Sequence, residues 1–288
     1  MKLDVARIGS RWKIGCWVCC PPETDWQEAG EYLRDLAAAV GCRPYELLTD
    51  PLAHVSSLLD GPPKARPKLP PPSEQLIQGW QSRLRSTDSA LAYLIERRGL
   101  RHETIEQYEL GYDGDLDAIT LPVRDAAGEL VNVKWRHLAP DADPKMTGLG
   151  GKGRSHLYPL EVLAADPLAL VLCEGEFDAL LLNQHGVPAV TSTAGTSWKP
   201  DWDPHVIGRR VAVLYDAGAR SYEKAERRAA ALVAAGARDS WPVDLTLCGF
   251  TKGEDVGDWV CKYRWPAHEL VAFLNASRRW YVESQVSA

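Results

Sequence analysis

The sequence predicts an α/β fold with a parallel sheet flanked by helices, and two stretches support this prediction. The apolar run 168–173 passes through a short acidic segment, Glu174 to Asp178, into a second apolar stretch that is typical of a helix. Another apolar run, 211–215, ends in Asp216. Nearly continuous apolar runs are typical of strands that are buried on both faces, as in parallel sheets. We therefore expect these two runs to be neighbouring parallel strands.

Carboxylates follow both runs, at the place where open α/β sheets bind their ligands. If the strands are neighbours, Glu174, Asp178 and Asp216 meet at one edge of the sheet. Such a cluster repels itself unless a hard cation lies among the oxygens, and beside phosphates that cation is usually Mg²⁺. The alternative is an ordinary strand and helix joined by a solvated acidic turn.

Composition limits the class of protein. The 288 residues suffice for two compact domains, and the net charge of -6 argues against coating nucleic acid by charge alone, so any basic site is local. Neither a membrane-length apolar run nor a signal-peptide core is present, which predicts a cytoplasmic protein with no membrane partner. Without a secretory context, Cys173, Cys248 and Cys261 are expected to be small buried residues, not disulfide partners.

The N-terminal segment, residues 1–60, contains a predicted strand over residues 11–18 and a predicted helix over residues 26–40. Cys16 and Cys19 have the spacing of a zinc knuckle, but no Cys or His precedes them to complete four ligands. Zn²⁺ binding and a reduced, metal-free cap therefore both stay open. A proline-rich linker, residues 61–73, is expected to separate this segment from the rest of the chain.

The remaining elements are predicted from periodicity and from turn residues. Gly99 is placed to end the second of three helices, and a turn at residues 124–128 joins a β-hairpin. The predicted helices and strands cover residues 74–85, 89–98, 102–109, 118–123, 129–136, 221–235 and 243–247. After about residue 266 we expect an amphipathic helix with Leu270, Phe273 and Leu274 on one face.

The order of apolar strand, EGEFDA, a small-residue loop at Thr193 to Thr196, apolar strand and Asp resembles the TOPRIM domain. Bacterial-type primases, topoisomerases, small nucleases and recombination proteins share that domain. Ahead of it stand YLIERRGLRHETIEQYELGY, ITLPVRDAAGELVNVKWR and PKMTGLGGKGRSHLYPL, which resemble the N-terminal subdomain of the bacterial-type primase catalytic core. The resemblance implies a compact, phage- or plasmid-like primase with a primase N-terminal subdomain (74–165), a TOPRIM domain (166–265), a C-terminal helix and tail (266–288) and a degenerate zinc-ribbon-like cap.

The resemblance implies DNA-templated synthesis of short RNA primers by metal-dependent nucleotidyl transfer. The implied partners are single-stranded DNA, NTPs and a replicative helicase in trans, and the implied cofactor is Mg²⁺ or Mn²⁺. The carboxylates that correspond to the catalytic and metal-binding residues are Glu174, Asp178, Asp216, Asp255 and Asp258. The basic residues placed on nucleic-acid or nucleotide phosphates are Arg124, Lys134, Arg136, Lys145, Lys152 and Arg154.

One motif departs from the family pattern. Active TOPRIM primases carry Asp-x-Asp, whereas this chain reads Asp216-Ala217-Gly218 and lacks one carboxylate. Losing a ligand weakens a metal site, although Glu176 or Asp255 could compensate. Glu174 could also act as a general base. Two other functions therefore stay open, a catalytically silent DNA-binding or replication-accessory protein and a TOPRIM nuclease.

Overall fold

The computed structural model describes residues 3–8, 11–16, 70–149 and 155–286. The chain divides into two compact units, residues 1–66 and 67–288. In the first unit the described residues form an antiparallel hairpin of β1 (Leu3–Ile8) and β2 (Arg11–Cys16). β2 confirms most of the predicted strand. Cys19, the helix expected over residues 26–40 and most of the linker lie outside the described residues.

The second unit begins with helices that the sequence predicts. Ser73 caps the first of them, because its Oγ accepts a hydrogen bond of 3.3 Å from the backbone N–H of Leu76. The second predicted helix is divided, since its α-helical part passes into one turn of π-helix, Tyr93–Arg97, before Gly99 ends it with a φ of 69°. The three α-helices are α1 (Glu74–Arg85), α2 (Asp88–Ala92) and α3 (His102–Gln107).

A four-stranded antiparallel sheet follows, in the order β3-β4-β5-β6. Its central hairpin, β4 and β5, confirms the predicted pair of strands. β6 is a difference from the expectation, because residues 146–148 lie outside all the predicted strands and nevertheless pair with β5. The strands are β3 (Gly111–Asp113), β4 (Ala118–Arg124), β5 (Leu130–His137) and β6 (Met146–Gly148).

The second sheet has five strands in the order β11-β10-β8-β9-β7. All neighbours in it are parallel except β7 and β9, which confirms the predicted parallel α/β architecture. The strands are β7 (Leu157–Tyr158), β8 (Ala169–Cys173), β9 (Ala189–Ser192), β10 (Arg210–Leu214) and β11 (Asp239–Val243). The helices that follow β8 and β10 are α4 (Glu176–Gln184) and α5 (Ala219–Ala234).

The strand predicted over residues 243–247 is wrong. The edge strand is β11, and residues Leu245–Cys248 form a 3₁₀ turn instead. Asp244 starts that turn, since its side chain accepts a 2.9 Å hydrogen bond from the N–H of Thr246. β11 accommodates Pro242 because it is an edge strand, and one side of an edge strand makes no ladder hydrogen bonds.

The two sheets and their helices share a hydrophobic core within the second unit. A short helix, α6 (Val256–Cys261), and the C-terminal helix, α7 (Ala267–Val286), complete that core. Leu270, Phe273 and Leu274 are buried on one face of α7, as predicted. Cys173 is buried, and Cys248 and Cys261 are half-buried free thiols. None of the helices in the described residues is long and apolar enough to cross a bilayer.

Candidate active site at the carboxyl edge of the parallel sheet

The register of β8 and β10 brings the acidic motifs together. The strands are parallel neighbours, and Cys173 lies opposite Leu214, so that Glu174 and Asp216 leave the sheet at the same edge. Thr191 on the other neighbour, β9, supports the turn after β8, because its hydroxyl donates 3.0 Å hydrogen bonds to the carbonyls of Cys173 and Glu174. The predicted neighbouring parallel strands are thus confirmed.

Gly175 allows Asp178 to approach the turn from the first turn of α4. A Cβ atom at position 175 would lie 2.8 Å from Oδ2 of Asp178, so any larger residue would displace the carboxylate. The Asp178 side chain is buried. Burial raises its pKa well above the usual range, and the charges of Asp255 and Asp216 add to that rise.

Asp216 has an environment of the same kind. Burial and, after it, the carboxylates of Glu174 and Asp255 raise its pKa to about 7, and Lys224 opposes that rise. Oε2 of Glu174 is buried and has no hydrogen-bond partner among the described residues. The edge of the sheet therefore holds several oxygen donors with too little positive charge around them.

The segment that carries Asp255 and Asp258 is attached by backbone hydrogen bonds to the segment that follows Asp216. The N–H of Ala217 donates to the carbonyl of Glu254, and the N–H of Gly253 donates to the carbonyl of Ala217, both at 2.8 Å. Asp255 and Asp258 form a reciprocal capping box at the start of α6, in which each carboxylate accepts the other residue's N–H. One oxygen of each aspartate is therefore already used in capping the helix.

Arg98 is a cation of this site that sequence reasoning missed. Its Nη1 lies 4.0 Å from Oδ2 of Asp255, and its charge lowers the pKa of both Asp178 and Asp255. The guanidinium packs over the rings of Phe177 and Tyr93, at 4.9 and 5.4 Å from their centroids. The π-helical turn ends just before Arg98, and the only sequence signal was an arginine pair ahead of a helix-ending glycine.

The donor set suits a divalent cation that also binds phosphate. Among the described residues no three His, Cys, Asp or Glu side chains are grouped closely enough to hold a metal ion by themselves. Mg²⁺ commonly binds one or two carboxylates and completes its shell with water and substrate phosphates. The unpartnered oxygen of Glu174 and the crowded carboxylates of Asp178 and Asp216 fit that kind of coordination.

Gly218 stands where the second aspartate of Asp-x-Asp is expected. Its φ of 132° and ψ of 153° belong to a region that only glycine adopts readily. The atoms nearest to a Cβ there belong to Lys252, at an ordinary contact distance of 3.4 Å or more, so the backbone conformation and not crowding excludes other residues. The position that lacks the carboxylate therefore also has a backbone conformation that favours glycine.

Two of the predicted phosphate-binding residues have protein partners. Arg124 forms ion pairs with Glu74 and Glu109, at 2.8 and 2.6 Å, and these contacts raise its pKa. Lys134 donates a 2.7 Å hydrogen bond to the carbonyl of Thr193. Their role in phosphate binding stays a prediction, and the structure gives both of them a part in holding the fold together.

Of the other predicted basic residues, the structure describes Arg136 and Lys145. Nε of Arg136 on β5 is buried without a hydrogen-bond partner among the described residues. Lys145 is exposed just ahead of β6, which pairs with β5 beside Arg136. Lys152 and Arg154 lie outside the described residues.

Solved structures resemble this chain although no family model and no curated protein sequence matches it. The catalytic core of DnaG superposes with a TM-score of 0.57 at 23% identity, over 71% of this chain and 78% of that one. The zinc-binding and RNA polymerase domains of Aquifex aeolicus primase superpose with a TM-score of 0.57 at 16% identity, over 96% and 81% of the two chains.

A third structure is a DnaG primase catalytic domain bound to single-stranded DNA. It superposes with a TM-score of 0.56 at 21% identity, over 71% of this chain and 77% of that one. The resemblance to primases that the motifs indicate is thus confirmed at the level of the fold. This chain has the α/β fold of the DnaG-type primase catalytic core.

Proposed function

We propose that this chain is a DNA primase that synthesises short RNA primers on a single-stranded DNA template. The observation that carries the proposal is the convergence of Glu174, Asp178 and Asp216 at the carboxyl edge of the parallel sheet, within a primase-core fold. Asp255 and Asp258 stand on the adjoining loop and helix. This arrangement concentrates oxygen donors where a nucleotide's phosphates would meet a divalent cation.

In this proposal Glu174 and Asp216 hold the cation, Mg²⁺ or Mn²⁺, together with the nucleotide phosphates. When bound, the cation lowers the pKa of the primer 3′-hydroxyl and neutralises charge on the α-phosphate as pyrophosphate leaves. Asp178 and Asp255 shape the negative field around it. Arg98 limits the repulsion between these two carboxylates. Through Phe177 it also connects the π-helical turn to α4.

In this proposal, basic residues of the antiparallel sheet and of the neighbouring segments of the chain hold the template and the nucleotides. We assign phosphate contacts first to Arg136, Lys145, Lys152 and Arg154, since Arg124 and Lys134 already bind carboxylates or a carbonyl of the protein. A structural neighbour bound to single-stranded DNA supports the choice of template. A replicative helicase in trans, a cytoplasmic location and a phage- or plasmid-like origin belong to the same proposal.

Gly218 favours a second candidate, a DNA-binding replication protein without polymerising activity. Two-metal transfer needs enough anionic ligands to hold both ions, and the glycine removes one of them. The nuclease alternative has no comparable observation in its favour, because the neighbours in structure are primase cores.

Primer synthesis on single-stranded DNA with labelled ribonucleotides, in Mg²⁺ and in Mn²⁺, tests the proposal. We expect short products from the natural chain, a loss of more than about a hundredfold in Glu174→Gln, and normal activity in Glu269→Gln, an exposed glutamate on α7. Products that are unchanged in Glu174→Gln would contradict the assignment of the site. DNA binding without any product in either metal would favour the second candidate.

A further inference from the structure

Helix α5 carries a group of cations that is separate from the basic residues predicted to bind phosphate. Arg227 and Arg228 come three and four residues after Lys224, a spacing that places each of them next to Lys224 on the surface of the helix. Together with Thr196 they line a cavity of about 190 Å³. The face that α5 packs against the sheet is a different one, formed by Ala225, Ala229 and Leu232. The cations therefore lie outside the apolar face with which α5 packs on the sheet.

Arg228 is held in position by the loop after β9. Its Nη2 donates a 3.2 Å hydrogen bond to the carbonyl of Thr196, and its guanidinium lies 5.8 Å from the ring centre of Trp198. Its Nε is buried and has no hydrogen-bond partner among the described residues. An arginine held in this way loses little side-chain entropy when it binds an anion.

The positive charge of this cavity is poorly compensated. Within the described part of the chain, neither Lys224 nor Arg228 has a carboxylate at ion-pair distance. Arg227 has only Glu223, at 4.0 Å, and both of those side chains are mostly exposed to solvent. A pair of that kind contributes little and leaves the arginine available for another anion. The excess of positive charge is confined to this region, because the whole chain carries a net charge of -6.

The cavity borders the acidic site. The charge of Lys224 acts on Asp216, whose pKa it lowers against the larger effect of burial. Arg228 acts on Tyr215, the residue before Asp216, in the same direction. Lys224 and Arg228 therefore lie close to the carboxyl end of β10, the strand that α5 follows in the chain.

We propose that Lys224, Arg227 and Arg228 form a second phosphate-binding site beside Asp216. It would take a phosphate group of the incoming nucleotide or of the nucleic-acid strand, with the arginine forks binding pairs of phosphate oxygens. The identity of the phosphate carrier rests on the proposed primase function, but the binding of phosphate itself does not.

The test compares two variants that each lose three positive charges. The site variant is Lys224→Ala, Arg227→Ala and Arg228→Ala. The control variant is Arg210→Ala, Arg238→Ala and Arg279→Ala, all of them exposed, with the first two at the amino ends of β10 and β11, opposite Asp216. Binding of tripolyphosphate, of ATP and of a short single-stranded oligodeoxynucleotide is measured by titration with the full chain and without divalent metal, after circular dichroism shows that each variant is folded.

We expect the site variant to bind at least one of these ligands about tenfold or more weakly than the control variant does. Weaker binding of tripolyphosphate and ATP would assign the site to the nucleotide. Weaker binding of the oligonucleotide alone, with a salt dependence whose slope falls by about 0.7 for each lost contact, would assign it to the strand.

Equal binding by the two variants, or no binding of any ligand by the natural chain, would overturn the proposal. Its failure is distinguishable from failure of the primase function, because the binding assay contains no metal and forms no product. If the natural chain makes primers and the two variants bind the ligands equally well, only the proposed phosphate site is overturned. If the natural chain makes no primers but the site variant binds phosphate more weakly than the control variant, the phosphate site is supported and the primase function is not.

Discussion

The ammonium group of Lys134 lies 3.4 Å from Oε1 of Glu176, and both side chains are almost buried, at 13% and 10% exposure. Lys134 belongs to β5 of the antiparallel sheet, whereas Glu176 opens helix α4 beside the acidic site. The same ammonium group also donates to the carbonyl of Thr193. This ion pair therefore connects the antiparallel sheet to the edge of the parallel sheet at which the carboxylates converge.

The first prediction concerns that ion pair. Replacing Lys134 by Met leaves Glu176 as a buried carboxylate without its cation, and we expect the free energy of unfolding to fall by about 3 kcal/mol. Urea denaturation followed by circular dichroism measures the change. The double variant Lys134→Met, Glu176→Gln removes both charges and should recover much of the loss. Equal destabilisation in the single and double variants would show that the two charges are not coupled.

The second prediction concerns Arg124 and pH. The hydrogen bond from Arg124 lowers the pKa of Glu74, so this contact stabilises the fold above the ordinary glutamate pKa and is lost as pH falls through the lowered value. Because Glu74 is half exposed, we expect Arg124→Gln to cost only about 1 kcal/mol near pH 7. Thermal melts across the acid range should show that the difference in Tm between the variant and the natural chain becomes smaller below about pH 4. A difference that stays constant with pH would contradict the ionic origin of this contribution.

The third prediction concerns Gly218. Its φ of 132° is strained for any residue with a Cβ atom, so Gly218→Ala and Gly218→Asp should each lower stability by about 1 to 3 kcal/mol. Gly79→Ala is the control, since Gly79 lies inside α1 with open space around it and alanine should stabilise that helix by about 0.5 to 1 kcal/mol.

The same backbone has a functional consequence. Restoring the family's aspartate through Gly218→Asp should not raise primer synthesis, because a carboxylate at that position requires the start of α5 to rearrange. Urea denaturation and the primer assay check both effects. A Gly218→Asp variant that is as stable as the natural chain and more active would show that the loop adapts freely.

The fourth prediction concerns Arg98 and divalent metal. Arg98→Gln removes the cation that moderates repulsion around Asp255 and Asp178, so we expect a loss of about 2 to 3 kcal/mol in the absence of metal. Mg²⁺ supplies positive charge to the same carboxylates and should therefore raise the Tm of the variant more than that of the natural chain.

The matched control for that measurement is Arg97→Gln, since Arg97 is exposed on the preceding π-helical turn. Differential scanning calorimetry of the natural chain and both variants, with EDTA and with Mg²⁺, measures the Mg²⁺-induced change in Tm of each protein. Equal Mg²⁺-induced shifts in all three proteins would contradict the role given to Arg98.

Much of the fold follows from local patterns. The apolar runs before Glu174 and Asp216 predicted two buried parallel strands, since such strands need apolar residues on both faces. The hairpin of β4 and β5 followed from two strand-like stretches on either side of a polar turn. The position of β11 could not be predicted in this way, because Pro242 is acceptable only at the edge of a sheet and the sequence does not reveal which strand forms the edge.

The sequence by itself determined which carboxylates could meet, because residues that end neighbouring parallel strands share one edge of the sheet. Only the tertiary structure decided which charged residues are free to act. In the sequence, Arg124 and Lys134 look no different from Arg136 and Lys145, since all four are basic residues of the same segment. In the structure, Arg124 and Lys134 form ion pairs with residues from other parts of the chain, Glu74, Glu109 and Glu176. Ion pairs between distant residues depend on how helices and sheets pack, and no local pattern of residue types encodes them.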